Sequence, residues 1–563
     1  MKNIFVKAIA SLLTAATLAG CSSDYLDVKP LTAVTSATVE TTQEGAQAAL
    51  YGLCRAMYYP MTGIEVFQVL GVNGEPFIQM FYGDIFGQDY FSYLWGAQMG
   101  NNFTWVNNRL ITGWVPTIGW VYCYNLISQA NRILVNIDNI EGDTEQLQYI
   151  KAQALTIRAH AYFRLLQIYG PRWEDSNNGE KYVCVLRTQP STADVPLSTM
   201  NAVVAQMKSD LTTAIDIFEN STARRYYIWE PDEDVAHGVY SRLGLLIHDY
   251  AAAQSHAAAA RKPYKIMTAD EYKSGFAEVM GSYLWANPVE PSASGIGYYS
   301  HGSYYACQGP YPTDWELGAG QINYELYRQI PAGDIRAELF FTPDKLTGTT
   351  QLRASSFWNE NICNPANMDL SKLNSNMKLQ LITFGQKMIP NGDQAKFGQP
   401  YVSRTPGEVT NPVIAFGAQY KFWGVDMYGT NSFPYMRAEE MLLNEAEAAY
   451  YNNDVNTART ALQELVAARN PGQDVSSLSG QALLDEIKLQ RRIELWGEGF
   501  NWFDLKRWNE PMVRNSWKAN DVNSNNIPAS FYLNIPASDP KWRFTIPQSE
   551  SQYNTALDRS LLD

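Results

Sequence analysis

Two clusters of rings and amides hold the residue types in this sequence that could recognise a ligand. The first lies between Phe77 and Trp105 and includes Tyr82, Asp84, Trp95, Asn101 and Trp105. The second lies between Tyr298 and Trp315 and includes Tyr298, Tyr304, Tyr305 and Trp315. Glycines and polar turn residues interrupt both, so neither continues the apolar stripe of a helix. Flat rings beside Asp, Asn and Gln suit a pyranose. The C–H face of the sugar packs on the aromatic plane, and its hydroxyls exchange hydrogen bonds with amides and carboxylates. Peptides suit the same side chains, because Tyr and Trp present rigid amphipathic area at low entropic cost. The residues named above are the expected ligand contacts. The competing expectation is that the rings only pack loops onto a scaffold.

Catalytic signatures are missing. The histidines (His160, His237, His248, His256, His301) are scattered, with no HExxH or HxH to make a metal pair. There is no GxSxG elbow and no GxxxxGK[ST] phosphate loop. A glycosidase needs only two carboxylates without a local motif, and 57 acidic residues single out no pair. The expectation is therefore a protein that is not an enzyme, with no catalytic residue, no cofactor and no metal. The chain has 563 residues, a net charge of −14 and no basic block, which argues against nucleic acid as a partner. Aromatics at 13% and charges at only 18% argue against disorder.

The N-terminus sets the compartment. Lys2 and Lys7 precede an apolar run from Ala8 to Ala19, too short to span about 30 Å of hydrocarbon. It reads as an export signal. Leu18-Ala19-Gly20-Cys21 resembles a lipobox, in which Cys21 is lipidated and anchors the mature chain. The expected organisation is a signal peptide over 1–20 and a tether over 21–42. Of the remaining cysteines, Cys54, Cys123, Cys184, Cys307 and Cys363 are odd in number and match no disulfide framework. Most are expected to be buried thiols.

Helices must position the clusters. Periodicity predicts helices over Trp120–Ile140 and Leu147–Tyr169, over Met200–Phe218 and Asp234–Ala260, and over Tyr435–Tyr451 and Val455–Ala468. Ala446-Glu-Ala-Ala-Tyr450, Asn452-Asn453-Asp454, Ala458 and Ala461 resemble a tetratricopeptide repeat, where small residues let paired helices approach. The fold class expected is mainly α: a tetratricopeptide-like helical scaffold with a loop-rich insertion carrying short strands and helices. Helical repeats fill 43–264 and 431–510, the insertion fills 265–430, and an irregular tail fills 511–563. Within the insertion, helical stripes are expected at Glu271–Met280 and Gly320–Arg328.

Three blocks carry a family resemblance. Phe433-Pro-Tyr-Met-Arg437-Ala-Glu439-Glu-Met-Leu442-Leu-Asn444-Glu-Ala446-Glu447 resembles a signature block of the SusD/RagB outer-membrane lipoproteins. Arg491-Arg492-Ile-Glu494-Leu495-Trp-Gly-Glu498-Gly499-Phe-Asn-Trp-Phe-Asp504-Leu505-Lys-Arg507-Trp508 is similar to a second, and Phe544-Thr-Ile546-Pro547-Gln548-Ser549-Glu550 to a third. Trp496 and Asn501 depart from the pattern. The resemblance implies a lipid-anchored nutrient-binding protein in the cell outer membrane, facing the exterior. Such a protein takes a glycan or oligosaccharide and delivers it to a SusC-like TonB-dependent transporter. A peptide-binding member of the family and a surface glycoside hydrolase are the alternatives. The charges of Arg491, Arg492, Glu494, Glu498, Asp504 and Arg507 are expected to pair in a structural network, because unpaired buried charge is too costly.

Overall fold

A computed structural model describes residues 41–58, 74–92, 102–276, 278–287, 320–340, 431–516 and 531–562, with short pieces between 363 and 422 and at 525 and 527. Helices dominate it. In chain order, apart from the short turns Ala269–Tyr272, Tyr324–Tyr327 and Gln548–Tyr553, they are α1 (Gln43–Ala56), α2 (Gly74–Ile78, continued by a π-helical stretch Gln79–Ile85), α3 (Trp114–Leu134), α4 (Thr144–Tyr169), α5 (Met200–Glu219), α6 (Glu233–Leu246), α7 (Tyr250–Arg261), α8 (Ala438–Tyr451), α9 (Val455–Arg469), α10 (Gly480–Glu494) and α11 (Asn501–Arg507). Neighbours in sequence pack side by side from α3 to α7, and α7 packs on α8, which continues the stack across the insertion. The stacked-pair scaffold expected from the repeats is present.

Helix α4 lies at the centre of the N-terminal half and is buried on nearly every side, as its weak amphipathicity requires. Two of its buried polar residues have strong partners: Arg158 pairs with Asp210 at 2.6 Å, and the Gln153 amide donates to the Pro231 carbonyl at 3.0 Å. Between α8 and α9, Ala446, Ala449, Ala458 and Ala461 share one apolar cluster. Asp454 caps α9 by accepting from the Thr457 amide at 3.2 Å. Here the alanines act as the repeat pattern predicts.

Some boundaries differ from expectation. The stretch 234–260 is two antiparallel helices, not one. His248 takes φ +60°, and Asp249 caps α7 by accepting from the Ala252 amide. Gly244 lets the pair close: a Cβ there would sit 2.8 Å from the Ala253 nitrogen. The predicted helix at Glu271–Met280 is a single turn, Ala269–Tyr272, closed by a capping box from Thr268 and Glu271. Gly320–Arg328 splits into a strand, Gly320–Ile322, and one helical turn, Tyr324–Tyr327. Asn323 separates the two and caps the turn by accepting from the Glu325 amide at 2.9 Å.

The described strands are short. β1 (Tyr90–Ser92) pairs with β3 (Gly320–Ile322), and β2 (Tyr283–Ala286) with β4 (Pro434–Arg437), both antiparallel. Cys54, Cys123 and Cys184 are free and buried. No described helix is long and apolar enough to cross a membrane.

Candidate functional site

The ribbon of β1 and β3 connects the two aromatic clusters. Its register sets Tyr90 opposite Ile322, Phe91 opposite Gln321 and Ser92 opposite Gly320. The chain leaves β1 at Ser92 towards Trp95 and Asn101, and enters β3 at Gly320 from the segment bearing Trp315. Both segments therefore attach at one end of one ribbon. The other attachment of the first segment is also close: Phe103 stacks on Tyr90 at 6.1 Å and meets Phe91 at 5.7 Å. For the second, the side chain of Asn287 donates to the Asn431 carbonyl and accepts from the Phe433 amide, which ties its start to the foot of β4.

Arg492 of α10, Asn501 of α11 and Trp496 from the turn between them clamp the base of the ribbon. Arg492 grips Asp89, the residue before β1, through two hydrogen bonds of 2.6 and 2.9 Å. Asn501 donates to the same carboxylate and accepts from the Gln88 amide at 2.7 Å. The Trp496 indole donates to the Asp89 carbonyl at 2.8 Å, and its ring lies against Tyr90 and Phe340. Trp496 and Asn501, the two departures from the family pattern, thus both sit under this ribbon.

Tyr82, Asp84 and Trp105, three of the expected ligand contacts, are interior residues and need correcting. Tyr82 is fully buried; its hydroxyl donates to the Val115 carbonyl and accepts from the Gly119 amide, and burial pushes its pKa up. Asp84 accepts from the Gly499 amide at 2.8 Å, beside a crossing so close that a Cβ on Gly83 would lie 1.9 Å from the Gly499 carbonyl oxygen. Trp105 donates its indole N–H to the Phe86 carbonyl at 2.9 Å and packs edge-on against Trp542 at 4.9 Å. A ligand reaches none of these faces. Trp95, Asn101, Tyr298, Tyr304, Tyr305 and Trp315 lie outside the described residues, as does Cys21.

Behind the clamp lies an ionic hub. Glu494 accepts from Arg336 at 3.1 Å, Arg437 at 2.9 Å and Arg469 at 3.0 Å. Glu498 accepts from Arg437 and Lys421, Glu439 accepts from Arg469 and forms an ion pair with Arg437 at 3.0 Å, and Asp334 accepts from Arg336. Four carboxylates thus face four cations, and all eight are buried. Burial would raise the pKa of Glu494, but Arg469, Arg437 and Arg336 together hold it well below the usual carboxylate range. Burial pulls Lys421 down to about 8, against the opposing pull of Glu498. The remaining pairs, Arg491–Asp504 at 2.7 Å and Arg507 with Glu447 and Asp504, complete the structural network expected from the sequence. Arg336 and Lys421 come from the insertion, where isolated charges give no signal.

One trio among the described residues brings metal-capable atoms together: Glu219, Glu233 and His237 each place one within 4.8 Å of the others. Sequence spacing concealed it, because Glu219 ends α5 and the other two start α6. Nδ1 of His237 already meets Nδ1 of His256 at 2.7 Å.

Comparison with known proteins gives a consistent picture. Residues 418–560 match the SusD family, and residues 77–245 match the family described as starch-binding associating with outer membrane. Among solved structures, a SusD-like carbohydrate binding protein from Bacteroides vulgatus superposes with a TM-score of 0.68 at 21% identity, covering 92% of this chain and 97% of that one. A sugar binding protein from the same organism gives 0.67 at 20%, covering 92% and 98%. A SusD superfamily protein from Bacteroides thetaiotaomicron gives 0.64 at 20%, covering 92% and 99%. These likenesses are of fold. No curated protein matches the sequence.

Proposed function

The chain belongs to the SusD/RagB family, and we propose that it is a lipid-anchored, surface-facing protein that binds glycans or oligosaccharides without altering them. It passes them to a SusC-like TonB-dependent outer-membrane transporter. The observation that carries the reading is the β1–β3 register: Ser92 opposite Gly320 brings the attachment points of both aromatic segments together, so Trp95 and Asn101 can share one ligand with Tyr298, Tyr304, Tyr305 and Trp315. A divided aromatic platform of this kind suits an extended sugar chain, whose successive C–H faces each need a ring. The starch-binding description of the family matched at 77–245 and the sugar-binding neighbours in Bacteroides vulgatus support the ligand class.

Native affinity electrophoresis against plant, host and microbial polysaccharides tests it, with each mixture assayed for new reducing ends. Retardation by a glycan without new reducing ends is expected. The Trp95→Ala/Trp315→Ala double variant should lose that retardation and keep its far-ultraviolet circular dichroism. Retardation that survives the double variant sinks the site. New reducing ends sink the non-catalytic reading, and binding of oligopeptides alone replaces the glycan with a peptide.

A further inference from the structure

A cavity of about 510 Å³ opens where the end of α4 meets the C-terminal tail. Its walls come from residues 171–181, from Lys506 of α11 and from residues 537–543, with Arg109 at the rim. That volume is in the range of small-molecule sites. Its charge is unusual for a chain with a net charge of −14. Leaving Arg543 aside, four cations (Arg109, Arg172, Lys181 and Lys506) face two carboxylates, Asp175 and Asp539.

Those carboxylates are already engaged. Asp175 pairs with Arg172 at 2.6 Å, and Asp539 caps a short turn by accepting from the Lys541 amide. Lys506, buried to 5% exposure, donates to the carbonyls of Gln167 and Gly170 at 2.6 and 2.8 Å. Carbonyls at the end of α4 satisfy its hydrogen bonds but supply only a partial negative charge. Arg172 is also buried, and its Nη1 has no hydrogen-bond partner. Lys181 and Arg109 are exposed at the mouth. Trp542, Pro171 and Pro540 add apolar wall. Among the described residues, the cavity therefore combines an excess of positive charge with apolar wall.

We propose that this cavity is a second binding site, taking the carboxylate or sulfate group of an acidic sugar. Its oxyanion lies towards Lys506 and Arg172, and Lys181 and Arg109 close over it from the mouth. The sugar identity rests on the glycan-binding reading above; the anion preference rests on the cavity alone. Burial, with Arg543 and Arg172 nearby, pushes the Lys506 pKa well down. An arriving anion favours the protonated amine, so binding takes up protons when the solution is more basic than that pKa.

Titration calorimetry of the purified protein with glucuronate, glucose 6-sulfate, glucose and inorganic sulfate tests the proposal. Glucuronate and glucose 6-sulfate should bind, glucose should not, and affinity should fall as salt rises. The Arg109→Gln/Lys181→Gln double variant changes only exposed side chains and should weaken both acidic sugars at least tenfold at unchanged melting temperature. Equal binding by wild type and variant, or no binding by wild type, overturns the site. Binding of inorganic sulfate alone overturns the acidic-sugar assignment. Retardation by neutral polysaccharides reads the aromatic platform and should be unchanged in this variant, so each site can fail by itself.

Discussion

The hub around Glu494 and the floor of the cavity around Lys506 both bury cations, and they treat them in opposite ways. In the hub, Arg336, Arg437, Arg469 and Lys421 meet Asp334, Glu439, Glu494 and Glu498, and the set is neutral. At the cavity, Lys506 meets two carbonyls, while the nearby Asp175 belongs to Arg172. A closed, neutral set has nothing to offer a ligand; its work is to lock α8, α9 and α10 to the insertion. Positive charge left over beside an open cavity attracts an anion. Charge balance, more than charge itself, separates scaffold from site.

Breaking the balance of the hub should give the largest effect. Glu494→Gln keeps the shape and removes the one carboxylate that three arginines share, leaving buried charge uncompensated. A loss of about 3–5 kcal/mol is expected, read as a lower urea midpoint; a change under about 1 kcal/mol would mean that water reaches the hub. Trp105→Ala should cost a similar ~3–5 kcal/mol through the cavity it leaves among Phe86, Trp502 and Trp542, while polysaccharide retardation persists in the folded fraction. Loss of retardation at unchanged stability would return Trp105 to the ligand site. Lys506→Met should cost less, about 1–3 kcal/mol, because it strands two carbonyls and no carboxylate. A penalty as large as that of Glu494→Gln would show that Lys506 belongs to the scaffold after all.

Much of the scaffold was legible because helix periodicity and breakers are local. Gly170-Pro171 marks the end of α4, Asp454 caps α9, and the alanines of α8 and α9 mark a close crossing. The break at His248 was not legible, since no glycine or proline marks it and Asp249 is the sole cue. The network in Arg491–Trp508 could be foreseen from the cost of burying unpaired charge, yet its partners Asp89, Arg336 and Lys421 lie far away in sequence. Site reasoning went astray at Tyr82, Asp84 and Trp105 for a related reason. An aromatic in a glycine-broken segment reads alike whether it faces solvent or, as with Trp105 at φ +56°, a strained turn folds it inward. What buries Trp105 is its tertiary contact with Trp502 and Trp542, and no local pattern encodes that.

Acid titration offers the finest distinction, between charge that the fold holds balanced and buried groups that it keeps neutral. Glu494, Glu498 and Glu75 have folded pKa values held below their ordinary ones, with neighbouring arginines overcoming the burial that would raise them. Their stabilisation is complete above the unfolded value of about 4.3 and is lost as pH falls below it. His237 is different: burial and His256 lower it to about 4, so the unfolded chain takes up a proton first, near pH 6.5. Stability should therefore begin to fall below about pH 6.5 and level off, for this group, near its folded value. His160, lowered by burial beside Glu75, adds a second contribution of the same sign. These groups contribute a shallow slope from about pH 6.5 and a steeper one below about pH 4.3, against an opposite contribution from Asp234, which burial raises to about 7. His237→Asn should flatten the upper slope alone, and Glu494→Gln the lower. Denaturant midpoints measured from pH 8 to 3.5 decide it: if His237→Asn leaves the upper slope intact, the imidazole is already protonated in the fold, and Glu219 and Glu233 hold it as an ion pair.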